Sequence, residues 1–134
     1  MRARPEDWWR VRRVGDGVTH IDEPHIRAFY RCNVWHVRGR DTDMLVDSGM
    51  GVVSLRDRVP LVTERPLQAV ASHTHFDHVG LHHEFPCRLC HAAEAHLLRA
   101  PTRENTFADK YVTDDIFTTL PPEPYTAATY AVEA

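Results

Sequence analysis

The sequence is short of cysteine, of net charge and of long hydrophobic runs, and each shortage excludes a class of protein. No stretch reaches the roughly 18 consecutive apolar residues that a membrane-spanning helix needs, and the N-terminus lacks the apolar segment of a secretory signal. Three cysteines, an odd number, do not suit a disulfide framework. We therefore expect a cytoplasmic protein in a reducing environment, with no membrane partner.

Length and charge set further bounds. A chain of 134 residues, 43% of them hydrophobic, is long enough to bury one core, so we expect a single domain over residues 1–134. The net charge of −3 gives no electrostatic case for nucleic acid as a partner. Arginine is concentrated near the N-terminus, at Arg2, Arg4, Arg10, Arg12 and Arg13. Tryptophan and valine residues are interleaved with these arginines, which favours a solvated strand face over a phosphate-binding arm.

Turn and breaker residues divide the chain into short elements. A strong turn signal at residues 15–17 and a polar turn further on predict two hairpins, in which strands 8–14 and 18–22, then strands 33–37 and 43–47, are paired. Ser54 is placed to cap a short helix that Pro60 ends. The later predicted elements are strands at 67–72 and 87–91, a helix at 92–98, a short helix within 111–120, and a loop at 121–124 after which the chain trails off.

Four potential metal ligands lie within six residues, at His73, His75, Asp77 and His78, directly after the predicted strand 67–72. Residues i and i+2 of an extended chain project to the same side, so the first two histidines should point together beyond the strand. If a helix follows, Asp77 and His78 lie in its first turn, where the carboxylate is close to the positive end of the helix dipole. Imidazole and carboxylate suit zinc, iron or manganese. The spacing therefore predicts two metal positions.

The order His-x-His-x-Asp-His-x-Gly over residues 73–80 resembles the motif of the metallo-beta-lactamase superfamily. The segment 44–51, Met-Leu-Val-Asp-Ser-Gly-Met-Gly, is similar to the strand and turn that precede this motif in the family. Together the matching features run over residues 11–98. The resemblance implies an α/β fold, namely the N-terminal half of an αβ/βα sandwich, with a mixed sheet and flanking helices.

The resemblance also implies a function, a metal-dependent hydrolase in which a metal-bound hydroxide attacks a small-molecule ester, thioester, lactone, amide or phosphoester. His73 and His75 are expected to hold the first metal. Asp77 and His78 are expected to hold the second. Zinc is the expected metal, with two ions in the intact enzyme, and iron or manganese are alternatives. Asp77 is also expected to take or orient a proton of the attacking water, and Asp47 to orient a ligand from behind the site.

The family completes its site with a histidine, a bridging aspartate and a further histidine from downstream of the motif, and this sequence offers no candidate for them. The remaining histidines follow the motif too closely, at His82, His83, His91 and His96. We therefore expect a C-terminal fragment or a second chain to complete the site. One alternative is a non-catalytic half-domain that pairs with another chain. Another is a persulfide-dioxygenase-like oxidoreductase with a single iron, in which Asp77 and His78 would be free of metal.

The weaker signals have simpler explanations. Residues 87–91, Cys-Arg-Leu-Cys-His, match the attachment pattern of a c-type haem, but the resemblance places them in a buried strand, where small cysteines pack well. His82 and His83 are expected to flank the site or to be exposed, and not to bind metal. Leu81 stands where the family often has a second glycine. The three tryptophans are expected in core or edge packing, and not in a substrate platform.

Overall fold

A computed structural model describes residues 1–134, and its central element is one six-stranded sheet. The strands are β1 Arg10–Gly15, β2 Val18–Asp22, β3 Val34–Val37, β4 Asp43–Val46, β5 Leu67–Val70 and β6 Arg88–Leu89. They lie side by side in chain order, antiparallel from β1 to β4 and parallel from β4 to β6. The mixed sheet and its flanking helices confirm the predicted α/β fold class.

Both predicted hairpins are present. The first turns at Gly15, Asp16 and Gly17, whose φ angles are all positive, at 131°, 54° and 77°. Glycine tolerates this region freely and aspartate more readily than most residues, which is why the turn signal is strong. In the second hairpin Trp35 is paired with Val46, so the end of β4 has a fixed position beside β3.

The helices are short. The α-helices are α1 Leu55–Arg58, α2 Phe76–Val79, α3 Ala95–Arg99 and α4 Ala108–Tyr111. Single 3-10 turns lie at Pro5–Asp7, Ala28–Tyr30, Pro60–Thr63, His82–Glu84, Ala92–Glu94 and Asp114–Ile116. The longest helix has five residues, so none could cross a bilayer.

Helix predictions were right where a cap marks the start. Ser54 Oγ accepts a hydrogen bond from the Asp57 N–H at 3.1 Å, and α1 ends before Pro60 as predicted. The helix predicted at 92–98 is a 3-10 turn that continues into α3. The helix predicted within 111–120 is wrong, because only a 3-10 turn follows α4 there.

One face of the sheet is buried beneath α1 and the turn that follows it. Its core consists of Ile21, Cys32, Val34, Leu45, Leu55, Val59, Val62, Ala69, Leu81 and Phe85. The opposite face is open, and there Trp35, Met44 and Leu89 are 36%, 39% and 45% exposed. Trp8 is fully buried, as expected for a tryptophan that packs in the core. Trp35 lies on the open face, where its ring contacts that of His20 at a tilt, with centroids 4.8 Å apart.

A second core surrounds the segments that follow β4 and β5, and the C-terminal residues complete it. The prediction that the chain trails off after residue 124 is wrong, since Tyr125, Tyr130 and Val132 are buried there. The Tyr130 hydroxyl donates to the Met50 carbonyl oxygen at 2.5 Å. The Arg103 guanidinium donates a hydrogen bond to the Tyr130 carbonyl oxygen. Aromatic residues spread through a loop thus cover apolar surface from distant parts of the chain.

The strand predicted at 87–91 is present as β6, but its predicted burial is wrong. Cys87 and Leu89 are exposed, and Cys90 is half-buried. β6 is an edge strand that pairs only with β5, through two residue pairs, so one of its sides has no neighbouring strand. All three cysteines are free. His91 caps the turn that follows, accepting a hydrogen bond from the Ala93 N–H at 3.0 Å.

Candidate metal site

The connection between β5 and α2 brings the motif residues to one place. The strand ends at Val70, and α2 begins at Phe76 with His75 as its N-cap. Between the two histidines that face outward, Thr74 is buried and donates its Oγ1 hydrogen to Glu94 Oε2 at 3.0 Å. Alternate residues therefore point in opposite directions, as an extended chain requires. The predicted strand is present but ends two residues earlier, at Val70, and Asp77 and His78 lie in a helix as expected.

Three imidazole rings and one carboxylate meet beside α2. The ring centroid of His73 lies 4.1 Å from that of His78 and 4.6 Å from that of His75. Asp77 Oδ2 lies 3.4 Å from His78 Nε2. None of these four residues is buried. Because His73 touches both other rings, the two expected ligand pairs form one continuous cluster, and its donor set fits a zinc, iron or manganese ion.

Asp47 lies behind this cluster, at the end of β4. It is 3% exposed and has a φ of 66°, a left-handed conformation that costs a non-glycine residue free energy. Its carboxylate accepts hydrogen bonds from the Ser72 N–H at 2.8 Å, from Ser72 Oγ at 2.7 Å and from His78 Nδ1 at 2.7 Å. Burial raises the pKa of Asp47, but the bonds from His78 and Ser72 outweigh it and hold this pKa below its usual value. Asp47 is therefore an ionised brace for His78.

The imidazoles differ in their affinity for protons. Burial lowers the pKa of His78. The hydrogen bond to Asp47 and the charge of Asp77 outweigh this effect, so the pKa lies above the ordinary value. Burial lowers the pKa of His73, and the neighbouring rings of His78 and His75 lower it again. His73 is thus held neutral, the state in which an imidazole binds a metal.

Cys32 is a neighbour of the site that sequence reasoning missed. Its Sγ lies 3.5 Å from His78 Nδ1, and one ligand atom from each of Cys32, Asp47 and His78 lies within 4.8 Å of the others. Burial and the nearby charge of Asp47 raise the pKa of the Cys32 thiol, so it is neutral here. No local pattern marks this residue, which comes 46 positions before His78.

Glu23 is a second residue without a local signal. It is 1% exposed, yet its carboxyl group accepts hydrogen bonds from Trp8 Nε1 at 2.9 Å and from the Met50 N–H at 2.8 Å. Burial raises the pKa of Glu23 to about 7, although these two bonds act in the opposite direction. Through its bond from the Met50 N–H, the carboxyl group holds the turn that follows Asp47.

Gly80, the last residue of the motif, is explained by a close backbone contact. Its N–H donates to the Gly49 carbonyl oxygen at 2.9 Å, and a Cβ at this position would overlap the carbonyl group of Met50. Only glycine allows the turn after β4 to lie so close to the end of α2. Leu81, where the family often has a second glycine, is buried in the core beneath the sheet, so the larger residue is accommodated.

His82 is not exposed, so the structure excludes that one of the two expected positions. It is 2% exposed, and its Nδ1 is hydrogen-bonded to Ser48 Oγ at 2.7 Å. Burial lowers its pKa to about 4, so the ring is neutral near pH 7. His83 is half-buried, and its Nε2 lies 3.1 Å from Glu133. The contacts of these two histidines are structural.

Comparison with known proteins identifies the class to which this fold and this cluster belong. The sequence model of the family described as the metallo-beta-lactamase superfamily matches residues 27–126. The chain belongs to the metallo-beta-lactamase superfamily, whose members bind metal ions, typically zinc.

Among individual proteins, the chain is similar to an acyl-coenzyme A thioesterase, MBLAC2, from Homo sapiens, with 36% identity over 104 residues. That match covers 69% of this chain and 37% of the human protein. The MBLAC2 of Gallus gallus is 35% identical over 130 residues, covering 88% of this chain and 45% of the chicken protein. The chain therefore spans less than half the length of these relatives.

A solved structure confirms the fold. The metallo-beta-lactamase FIM-1 from Pseudomonas aeruginosa, in its mono-zinc form, superposes with a TM-score of 0.53 at 18% sequence identity. The superposition covers 66% of this chain and 44% of FIM-1. The sheet and its helices thus correspond to part of the metallo-beta-lactamase fold.

Proposed function

We propose that this chain carries the metal-binding part of a hydrolase that cleaves acyl thioesters, with acyl-coenzyme A as the substrate class. The observation that carries the proposal is the cluster of three histidines and Asp77 in front of the buried Asp47. The human and chicken relatives are named acyl-coenzyme A thioesterases. That name selects the thioester among the esters, amides and phosphoesters that the motif leaves open.

The residues that would hold the metal are His73, His75, Asp77 and His78, with zinc as the first candidate and two ions in the complete site. When bound, such an ion supplies Lewis acidity, which lowers the pKa of water to about 7. Asp47 keeps the His78 ring in one orientation through the 2.7 Å bond to Nδ1, and so leaves Nε2 directed toward Asp77.

Hydrolysis of a thioester adds the oxygen of water to the carbonyl carbon and breaks the carbon–sulfur bond, giving a carboxylic acid and a free thiol. Asp77 is placed to accept or orient the proton that water loses, because its carboxylate is 22% exposed and lies beside His78. Its Oδ2 accepts or orients that proton, which then passes to the leaving sulfur.

We also propose that residues outside this chain complete the site, either as a C-terminal segment or as a second chain. The open face of the sheet, with Trp35 and Met44 exposed, supports this proposal because apolar surface of this kind favours a covering partner. A reducing, cytoplasmic location is part of the proposal, and the three free cysteines favour it.

The test uses the full-length protein that contains this chain. Metal is measured per mole of protein by elemental analysis, and acyl-coenzyme A hydrolysis is followed by trapping the released thiol. The double variant His75→Ala with Asp77→Ala should lose both metal and hydrolysis, whereas His96→Ala, an exposed histidine on α3, should lose neither. Chelation should abolish hydrolysis, and zinc should restore it.

Each other outcome selects a different function. About one iron per chain, together with oxygen consumption on a persulfide, would show a persulfide-dioxygenase-like enzyme in place of a hydrolase. Stoichiometric metal in the double variant would refute the ligand assignment. Metal-loaded protein without hydrolysis of any thioester would refute the substrate class.

A further inference from the structure

Phe107 lies against the metal cluster in an unusual backbone conformation. Its ring meets that of His75 edge to face, with centroids 4.7 Å apart, and Phe107 is 42% exposed. Its φ is 62° and its ψ 16°, the left-handed region that a bulky side chain rarely adopts. Such a conformation costs free energy, and residues of this kind are concentrated at functional sites.

The surrounding contacts explain how the conformation is maintained. The carbonyl oxygen of Thr106 accepts a hydrogen bond from the Phe76 N–H at 2.9 Å, which joins this loop to the first residue of α2. Thr106 itself is buried, and α4 begins at Ala108. Phe107 therefore lies between this anchored loop and the start of α4, and its ring contacts that of His75.

Further aromatic side chains lie on α4 and beside it. Tyr111 lies one helical turn after Phe107 on α4, and its N–H donates to the Phe107 carbonyl oxygen at 3.3 Å. The ring centroid of Tyr30 lies 6.4 Å from that of Tyr111 and 4.9 Å from that of Phe29. Phe29 is 87% exposed and Tyr111 36%. We call these four residues the aromatic row: Phe107, Tyr111, Tyr30 and Phe29.

We propose that the aromatic row binds the apolar acyl chain of the thioester substrate, with Phe107 setting the preference for chain length. This inference rests on the proposed thioesterase function. A carbonyl carbon that reacts beside His75 must place one of its two substituents along the surface next to that residue. The surface there is aromatic and solvent-exposed, so it suits a hydrocarbon chain better than the polar coenzyme A portion. The contact between His75 and Phe107 joins the aromatic row to the metal cluster. The row is therefore assigned to the acyl chain of the substrate.

The first experiment measures kcat/KM of the full-length protein on acetyl-, octanoyl- and hexadecanoyl-coenzyme A. Phe107→Asn removes the ring but tolerates the positive φ, so it should reduce kcat/KM on the hexadecanoyl ester about tenfold and leave the acetyl ester nearly unchanged. Phe107→Tyr keeps the ring and should behave as the wild type. Val14→Ser, an exposed apolar residue at the far end of β1, is the control and should change neither substrate. An equal loss on all three esters, or no loss on the longest, would overturn the proposal.

The second experiment separates this inference from the proposed function. Binding of S-hexadecyl-coenzyme A, a thioether that cannot be hydrolysed, is measured by calorimetry below its micelle threshold, with metal content determined in the same samples. About tenfold weaker binding by Phe107→Asn at equal metal content supports the aromatic row even if no thioester is hydrolysed. Equal binding by variant and wild type refutes the row, whatever the hydrolysis assay shows.

Discussion

His78 donates its Nδ1 hydrogen to Asp47 Oδ2 across 2.7 Å, and this bond links the end of β4 to α2. Because a carboxylate has only acceptor atoms, the bond fixes which ring nitrogen carries the hydrogen. The other nitrogen, Nε2, lies on the side of Asp77, 3.4 Å from its Oδ2. The orientation of His78, a predicted metal ligand, is therefore set by a residue 31 positions earlier in the chain.

The first prediction concerns this bond. Asp47→Asn keeps the size of the side chain but removes its charge and one acceptor, so His78 loses its fixed orientation. We expect metal affinity to fall by about 10- to 100-fold, measured by competition with a chelator in the full-length protein. Asp41→Asn, an exposed aspartate in the hairpin turn, is the control and should bind as the wild type. Unchanged affinity in Asp47→Asn would show that the brace is dispensable.

The second prediction concerns the contact at Gly80. Its φ of −56° is ordinary, so only the overlap with the Met50 carbonyl group excludes a side chain. Gly80→Ala should lower the free energy of unfolding by about 3 kcal/mol, as measured by urea denaturation, because both contacting groups are backbone. Ala93→Ser, an exposed change of similar size, should stay within about 0.5 kcal/mol of the wild type. A Gly80→Ala chain as stable as the wild type would contradict the close approach.

The third prediction uses the buried imidazole of His82. Its pKa is about 4 in the folded chain against 6.5 for an ordinary histidine. Between these values the unfolded state binds a proton that the folded state does not, so stability is lost as pH falls from 6.5 toward 4. The loss amounts to about 3 kcal/mol.

His82→Asn removes this titration while keeping a side chain that can hydrogen-bond to Ser48. Its free energy of unfolding should therefore fall less steeply below pH 6.5 than that of the wild type. His96→Asn, at an exposed histidine, should keep the wild-type slope. Identical slopes for His82→Asn and the wild type would contradict the burial of a neutral ring.

The fourth prediction has the opposite sign and concerns Glu23. Its pKa is about 7 in the folded chain against 4.5 ordinarily, so the folded state retains a proton that the unfolded state releases. Stability contributed by this group is lost as pH rises from 4.5 through 7. Glu23→Gln cannot accept from both Trp8 and Met50, so it should be less stable than the wild type at pH 5. That deficit should shrink by about 3 kcal/mol at pH 8. A deficit independent of pH would refute the assignment.

Local patterns were sufficient to predict the hairpins, α1 and the strand and helix on either side of the motif. The turn at residues 15–17 and the cap at Ser54 act over two or three residues, so the sequence contains their whole cause. The gathering of His73 and His75 follows from the alternation of an extended chain in the same way. These features depend little on the rest of the molecule.

The remaining features depend on contacts between distant residues, and no pattern in the sequence could reveal them. Cys32 contacts His78, and Glu23 holds the turn after Asp47, both from the connection between β2 and β3. The burial of His82 depends on the turn after β4, and the exposure of β6 depends on its position at the sheet edge. Each requires knowledge of which elements become neighbours.

The C-terminal segment has a consequence for the order in which the protein is made. Tyr130 donates to the carbonyl oxygen of Met50 and lies 3.3 Å from that of Phe76, so it closes the core on which the metal motif is supported. Because synthesis runs from the N-terminus, the histidine motif leaves the ribosome before Tyr130 does. The nascent chain therefore presents the predicted metal ligands before Tyr130 can close the core that supports α2.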